Sequence, residues 1–450
     1  MKEKEGSLGA RRWISIVLIG LFGQIAWAIE NNYINLWVYS QSHTTDHINW
    51  MTTASAVVAT LTTFFLGALS DKLGKRRIFI SAGYTIWGIF VFLFGVMSLS
   101  NMEALSGGAG AKALMLVGVF NVIVDCIMTF FGSTANDACF NAYVTDQTNE
   151  KNRPMVESVL SVLPLVSLAV MMLVGLGLGI PDATKSASEV AKPWFYFFLI
   201  FGVLTSAAGI TSFFLLPKDT CLPNREEHYF KQMFVGFTPK KVKTNPLFYI
   251  ALLAFLFFNI GVDSFMPYFL VYFQKMEAFQ GMGFYAGLGI ILGIASLLTI
   301  VVGIFMEKIG KGKVLIPSVI FMAGGALGLF FSGDSFGLDC LFGTCMIAGY
   351  LLGTASLGAS IRDYTPSVDV GSYQSVRMVF AVMLPMVIGS NLSSAVFQSG
   401  MVENEYGAME KSPDKMMFLV TLGAALLSLI PIVWLLLASK KKQNPVKSEN

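Results

Sequence analysis

The chain has 450 residues, 54% of them hydrophobic and only 13% charged, with a formal net charge of +3 at pH 7. A charged fraction about half that of soluble proteins excludes an ordinary water-soluble domain. Three histidines and five cysteines at scattered positions offer neither a metal-site spacing nor a disulfide framework, and no cofactor, resident metal or nucleic-acid partner is expected.

Apolar runs long enough to cross a bilayer as helices recur along the chain. They lie at roughly 13–39, 48–70, 78–100, 113–137, 157–180, 193–216, 247–273, 283–305, 313–332, 337–361, 376–397 and 414–438. The first is too long for a cleavable signal peptide and is expected to remain as a spanning helix. At ~100° per residue, its residues Gly20, Gly23, Gln24, Trp27, Glu30, Asn31 and Asn35 share an arc about 140° wide. Leu21, Phe22, Ile25, Ile29, Tyr33 and Leu36 occupy the other side, and Asn32 falls just beyond the arc. A carboxylate inside hydrocarbon costs several kcal/mol unless it meets water or a partner, so Glu30 is a candidate ion-coupling group. The alternative is a protonated Glu30 bonded to a neighbouring helix. Trp27, Gln24 and Asn31 combine an apolar surface with donors and acceptors, as a sugar site needs; packing is the other reading of Trp27.

The second run carries threonines and serines but no acid before Asp71. It closes on the loop Gly67-Ala-Leu-Ser-Asp71-Lys-Leu-Gly74-Lys75-Arg-Arg77. In the fourth run Asn121, Asp125, Thr129, Ser133, Asp137, Asn141 and Thr145 recur every fourth residue. Each step drifts ~40° around an α-helix, so the stripe winds slowly about the axis. If Asp146 marks the inner interface, Asp137 lies ~14 Å deeper; if the apolar run is centred, Asp125 is the midplane residue. Both are candidate ion-coupling acids, Asp137 also a sugar contact, and a hydrogen-bonded seam between helices is the alternative for each.

Residues 217–246 hold four prolines and six basic residues and no spanning run. They read as a tether, within which Glu226–Val235 has the pattern of a short amphipathic helix. The seventh run places Asp263 between Asn259 and Pro267 on one face, as a further coupling acid and substrate contact. The eighth closes on Gly303-Ile-Phe-Met-Glu307-Lys-Ile-Gly310-Lys311-Gly-Lys313, 236 residues after the first such loop. Gln374 and Arg377 open the eleventh run as candidate substrate contacts, with Arg377 alternatively snorkelling to the membrane surface.

With the N-terminus inside, only Lys112, Lys185, Lys192, Lys275, Lys411 and Lys415 of the 31 basic residues fall outside, which predicts both termini in the cytoplasm. The halves align at two further registers: Glu30 on Asp263, which puts Val38–Gln41 on Val271–Gln274, and Asp146 on Asp363, which puts Glu157–Val159 on Gln374–Val376. A duplicated six-helix unit is the signature of a transporter. The expected fold is an all-α membrane protein of twelve transmembrane helices in two six-helix bundles. The expected domains are an N-terminal bundle over 1–216, a cytoplasmic linker over 217–246, and a C-terminal bundle with a cytoplasmic tail over 247–450.

On the Gly67–Arg77 loop and its repeat the chain resembles the major facilitator superfamily. On Ala28–Asn31, Ala135–Ala138 and Arg362–Pro366 it is similar to the glycoside–pentoside–hexuronide cation symporters, nearest the sucrose-transporter-like branch. The resemblance implies sugar uptake driven by protons or sodium, with a site between the halves. Sodium-coupled melibiose-type members carry carboxylates in the second helix, which this chain lacks, so protons are the expected ion. The repeated loops imply a gate built from Gly67, Asp71, Gly74, Lys75 and Arg77 with Gly303, Glu307, Gly310, Lys311 and Lys313. The expected partners are a small-molecule substrate, a sugar, together with a coupling proton and the lipid bilayer of the plasma membrane. The competing expectations are the same fold carrying a lysolipid or amphipathic drug with sodium or protons, and a non-transporting membrane sensor. With no nucleotide-binding Gly-Lys-Ser/Thr loop and no nucleophile–base arrangement, neither ATP-driven transport nor an enzyme is expected.

Overall fold

A computed structural model of the chain describes residues 8–148, 152–181, 185–217, 219, 234–366, 370–397, 402–403 and 409–443. Twelve helices there are long and apolar enough to cross a membrane: Ala10–Ser42, Thr45–Ser70, Arg77–Phe94, Ala111–Gln147, Val159–Leu178, Ala187–Leu215, Pro246–Lys275, Met282–Met306, Lys311–Phe331, Phe336–Tyr364, Tyr373–Val396 and Met416–Lys440. They are called the first to twelfth span below. One coincides with each predicted apolar run. Large side chains such as Leu173, Phe214 and Ile304, each 69% exposed, stand on the outer faces of these helices, where lipid rather than water is the fitting solvent.

The first and fourth spans run on beyond the predicted apolar segments, to 33 and 37 residues. The extensions are polar in side chain but keep their backbone bonds, as a peptide in hydrocarbon must. Both spans also contain a π-helical stretch, Ile29–Ile34 inside the predicted first run and Ser133–Phe140 across the end of the predicted fourth, and a third, Val379–Met383, lies in the eleventh span. None of the three was foreseen from the sequence.

The chain divides into two compact units, residues 1–229 with 401–410, and residues 230–400 with 411–450. Most of the expected linker, including residues 226–233 of its expected amphipathic helix, lies outside the described residues. In the first unit the first span packs on the fifth and sixth, the second on the fourth, and the third on the fourth and sixth. In the second unit the seventh packs on the eleventh and twelfth, the eighth on the tenth, and the ninth on the tenth and twelfth. Every one of these pairings is repeated six spans later, so the duplication seen in the loops extends to the packing.

Small residues bring the helices together. In the first unit the third and sixth spans cross at Gly88, where an added Cβ would lie 2.4 Å from the Gly202 carbonyl oxygen and the Ser206 nitrogen. In the second unit a Cβ at Gly325 would lie 2.4 Å from the Met346 nitrogen. Backbone atoms cannot rotate away, so such substitutions must separate the helices. Gly88→Ala is therefore expected to destabilise the protein by about 1–3 kcal/mol. Gly289→Ala, with nothing within 4 Å of its added Cβ, is expected to be neutral or slightly stabilising. Thermal unfolding in detergent separates the two, and equal melting temperatures would refute the crossing constraint.

Candidate functional site

The first and fourth spans run antiparallel and are tied by side chains along their length. Ser15 Oγ lies 3.2 Å from Tyr143 Oη. Further along, the Trp27 side chain lies beside the Asp137 carboxyl, which accepts from Asn136 Nδ2 at 3.1 Å. Beyond that, Thr129 Oγ1 donates to Glu30 Oε1 at 2.8 Å. Glu30 is buried, and its Oε2 has no hydrogen-bond partner among the described residues. Asp125, one helical turn from Thr129, has Ser55 of the second span beside it, while its Oδ1 is likewise buried without a partner among the described residues. Glu30 is within electrostatic reach of both Asp125 and Asp137.

The π-helical stretch explains why one stripe of the fourth span can serve all these contacts. A four-residue step overshoots an α-helical turn by ~40°. The same step falls short of the wider turn that i→i+5 bonding produces. The step from Ser133 to Asp137 therefore drifts the opposite way and offsets about one α-helical step, so Asp137 returns to the side of Thr129.

The polar arc of the first span divides by role. Gly23 lets the fourth span approach, since an added Cβ would lie 2.4 Å from Tyr84 Oη and 2.5 Å from Asn136 Oδ1. Tyr84 Oη in turn donates to Asn136 Oδ1 at 2.8 Å. Gly20 instead packs against Leu160 and Leu163 of the fifth span. Asn31, which is exposed, and Asn35 bond back to carbonyls one turn earlier, Trp27 at 2.9 Å and Asn31 at 3.0 Å. Trp27 also packs edge-on against Trp87, ring centres 4.9 Å apart. Gln24 is half-buried beside this group. Ser55 and Tyr84, which stand beside two of these acids or their neighbours, were not singled out from sequence because neither stands in a periodic polar pattern.

Residues 13–390 match the sequence pattern of the Major Facilitator Superfamily. The chain belongs to that superfamily. Its fold is also that of solved transporters of low sequence identity. A D-xylose–proton symporter superposes with a TM-score of 0.68 at 14% identity, covering 92% of this chain and 97% of that one. A nucleoside transporter gives 0.67 at 11% identity, covering 95% and 100%. A bacterial homologue of the human lysosomal transporter Spinster gives 0.65 at 13%, covering 97% and 98%. No curated protein matches the chain in sequence. A superfamily transporter is an integral membrane protein and not an enzyme, as the twelve spans require.

The second unit of this facilitator carries fewer acids at membrane depth. Asp263 stands in the seventh span with Tyr350 of the tenth as its neighbour. Gly389 of the eleventh span presses on the backbone there, since an added Cβ would lie 2.9 Å from the Asp263 carbonyl carbon. Asn259 is buried and donates to the Ala381 carbonyl, inside the π-helical stretch of the eleventh span, at 2.9 Å. Gln374 is exposed and Arg377 half-buried; Arg377 is within electrostatic reach of Arg362 and forms no ion pair among the described residues.

The duplicated loops make matching ion pairs with different residues. Gly74 and Gly310, at φ +63° and +93°, turn the chain in a conformation that favours glycine. In the first copy Arg76 pairs with Asp146 at 3.4 Å. In the second Lys311 pairs with Asp363 at 2.7 Å. Gly312 stands where the first copy has Arg76, so the base has moved by one residue while the acid has kept its register. Arg77 donates to the Phe213 carbonyl at 2.7 Å and lies over the Phe213 ring. Asp219 accepts from the backbone of Arg76 and Arg77 at 2.9 and 3.0 Å, capping the third span. The side chains of Asp71 and Glu307 lie outside the described residues.

Thr129→Val removes the one hydrogen bond to Glu30 and is expected to cost about 1–3 kcal/mol. Adding Glu30→Gln should recover part of that loss, because an amide is cheaper than a carboxylate to bury unpaired. Unfolding of the two single variants and the double variant measures the coupling; additive effects would show that the bond does not stabilise the fold.

Proposed function

We propose that this protein is a symporter that uses a proton gradient to import a sugar or small glycoside by alternating access. Its two six-span bundles, joined by a cytoplasmic linker over 217–246, would sit in the plasma membrane with both termini inside. The observation that carries this reading is Glu30, buried among helices with one oxygen held by Thr129 and the other unmatched. A carboxyl so placed can take a proton on its unmatched oxygen when the site is closed to water, and lose it when the site opens. Asp125 and Asp137, in the same electrostatic neighbourhood, make holding three full negative charges at once costly. Asp263 is the corresponding acid of the second unit. The Trp27 ring beside Asp137 supplies the apolar face and polar rim that a sugar needs, with Gln24, Asn31, Asn259, Gln374 and Arg377 as further contacts. One of the facilitators that shares this fold is a D-xylose–proton symporter. The duplicated loops, with Asp71 and Glu307 at matching positions, form the gate.

Right-side-out vesicles given a panel of mono-, di- and trisaccharides should alkalinise the outside as the transported sugar enters. Uptake driven by a sodium gradient alone would overturn the ion, and uptake of a lysolipid with none of any sugar would overturn the substrate. Glu30→Gln should abolish uphill accumulation while sugar exchange across the membrane persists; accumulation at the wild-type level would remove Glu30 from coupling. Asp71→Asn should change the accessibility of engineered cysteines between inward and outward states without loss of substrate affinity.

A further inference from the structure

Four buried polar atoms of the first unit, each on the fourth span or on a residue that touches it, lack a hydrogen-bond partner among the described residues: His47 Nδ1, Asn121 Oδ1, Asp125 Oδ1 and Glu30 Oε2. Their residues are 5%, 0%, 1% and 7% exposed, so bulk water does not satisfy them. His47 stands in the first turn of the second span, next to the turn from the first. Its ring lies against Gly118 of the fourth span, where an added Cβ would sit 2.4 Å from Nε2. Gly118, Asn121, Asp125 and Thr129 follow at spacings of three and four residues and share one face of the fourth span. Ser55, two turns along the second span from His47, stands beside Asp125, and Thr129 bonds Glu30.

We propose that His47, Asn121 and Asp125 hold a file of water that conducts protons between the turn joining the first two spans and Glu30. The proposal rests on Glu30 as the coupling group and adds the route by which its proton arrives. Neighbours one turn apart on a helix are about 5–6 Å from each other. That separation is too long for a direct hydrogen bond and suits a bridging water held at both ends by a polar atom. A seam that only joined helices would use these atoms on one another. Here each residue keeps one atom unmatched among the described residues, and each lies on or against the face of the fourth span that runs from Gly118 to Thr129.

The transfer balances without any co-reactant. A proton from solvent enters the water beside His47 Nδ1, and each water gives one proton forward as it receives one. Asp125 accepts a proton at Oδ1 and passes one on. Glu30 accepts the last at Oε2 and becomes neutral, and the reverse sequence ionises it again. The charged or titratable groups near the path are Asp46 beside His47, Cys126 within reach of Asp125 and Glu30, and Asp137 with Asp125 beside Glu30. Gly118 has a defined part, because without a Cβ it lets the imidazole lie against the helix at the mouth of the file.

The test is hydrogen–deuterium exchange at the Glu30 carboxyl, followed by infrared spectroscopy of the full-length protein in liposomes. The carboxyl band is assigned by its loss in Glu30→Gln. Asn121→Leu and His47→Leu should slow the downshift of that band in heavy water at least tenfold. Asn121→Ser and His47→Gln, which keep a polar atom in the file, should restore most of the rate. Gly118→Ala, which displaces the ring without removing a polar group, should slow it too, and serves if a leucine variant fails to fold. Exchange at the wild-type rate in the folded leucine and alanine variants overturns the file while leaving Glu30 as the coupling group. Absence of any protonated Glu30 band at every pH overturns both.

Discussion

A carboxyl group inside hydrocarbon must be matched by a donor or carry a proton, and the first unit is built around that demand. The first and fourth spans are drawn together by it. Thr129 meets Glu30, and Trp27 and Asn136 meet Asp137. The close approach at Gly23 makes room for Tyr84 and Asn136 to complete the contact. Two carboxyl oxygens beside Thr129, Glu30 Oε2 and Asp125 Oδ1, are left unmatched among the described residues. The second unit repeats the helix packing and keeps Asp263 in the register of Glu30, but Phe342 and Thr354 stand at the registers of Asp125 and Asp137. Its corresponding surface spends Asn259 on a backbone carbonyl of the eleventh span, a structural use of a polar group where the first unit keeps open carboxylates.

Departures from α-helical winding fall at the same places. Two of the three π-helical stretches contain Glu30 and Asp137, and the third accepts the Asn259 bond. An extra residue in a helical turn costs stability, and such turns collect where a side chain must be re-aimed. In the fourth span the effect is concrete. The α-helical part alone would carry the stripe away from the first span, and the π-helical part brings it back.

Much of the fold was legible in the sequence, because the length of an apolar run and the demand for internal backbone bonds leave few choices in a bilayer. The twelve spans and the duplicated loops follow from that. The four-residue stripe from Asn121 to Thr145 was visible too, but not its geometry. Its steps were read on a single helical period, and nothing in Ser133–Phe140 announces a change of winding. The arc of the first span was right in placing Glu30 and Trp27 together, yet it treated Gly20 and Gly23 alike. One packs against leucines and the other admits a tyrosine hydroxyl, a distinction that depends on which neighbour arrives. The loop bases were likewise visible without their partners. Arg76 was passed over for its neighbours Lys75 and Arg77, since only the fold brings Asp146 to it.

The two ion pairs of the duplicated loops differ in more than the base. In the first copy the Arg76 and Asp146 side chains are 11% and 31% exposed, and in the second Lys311 and Asp363 are 34% and 54% exposed. Mobile ions screen a charge pair in proportion to its contact with solvent, over a length of ~8 Å at physiological ionic strength. The second loop is therefore the one whose attachment weakens as salt rises, while the first holds. A chain made of two copies of one unit has become, at its loops, electrically lopsided, with one fastening that responds to the ionic medium and one that is shielded from it.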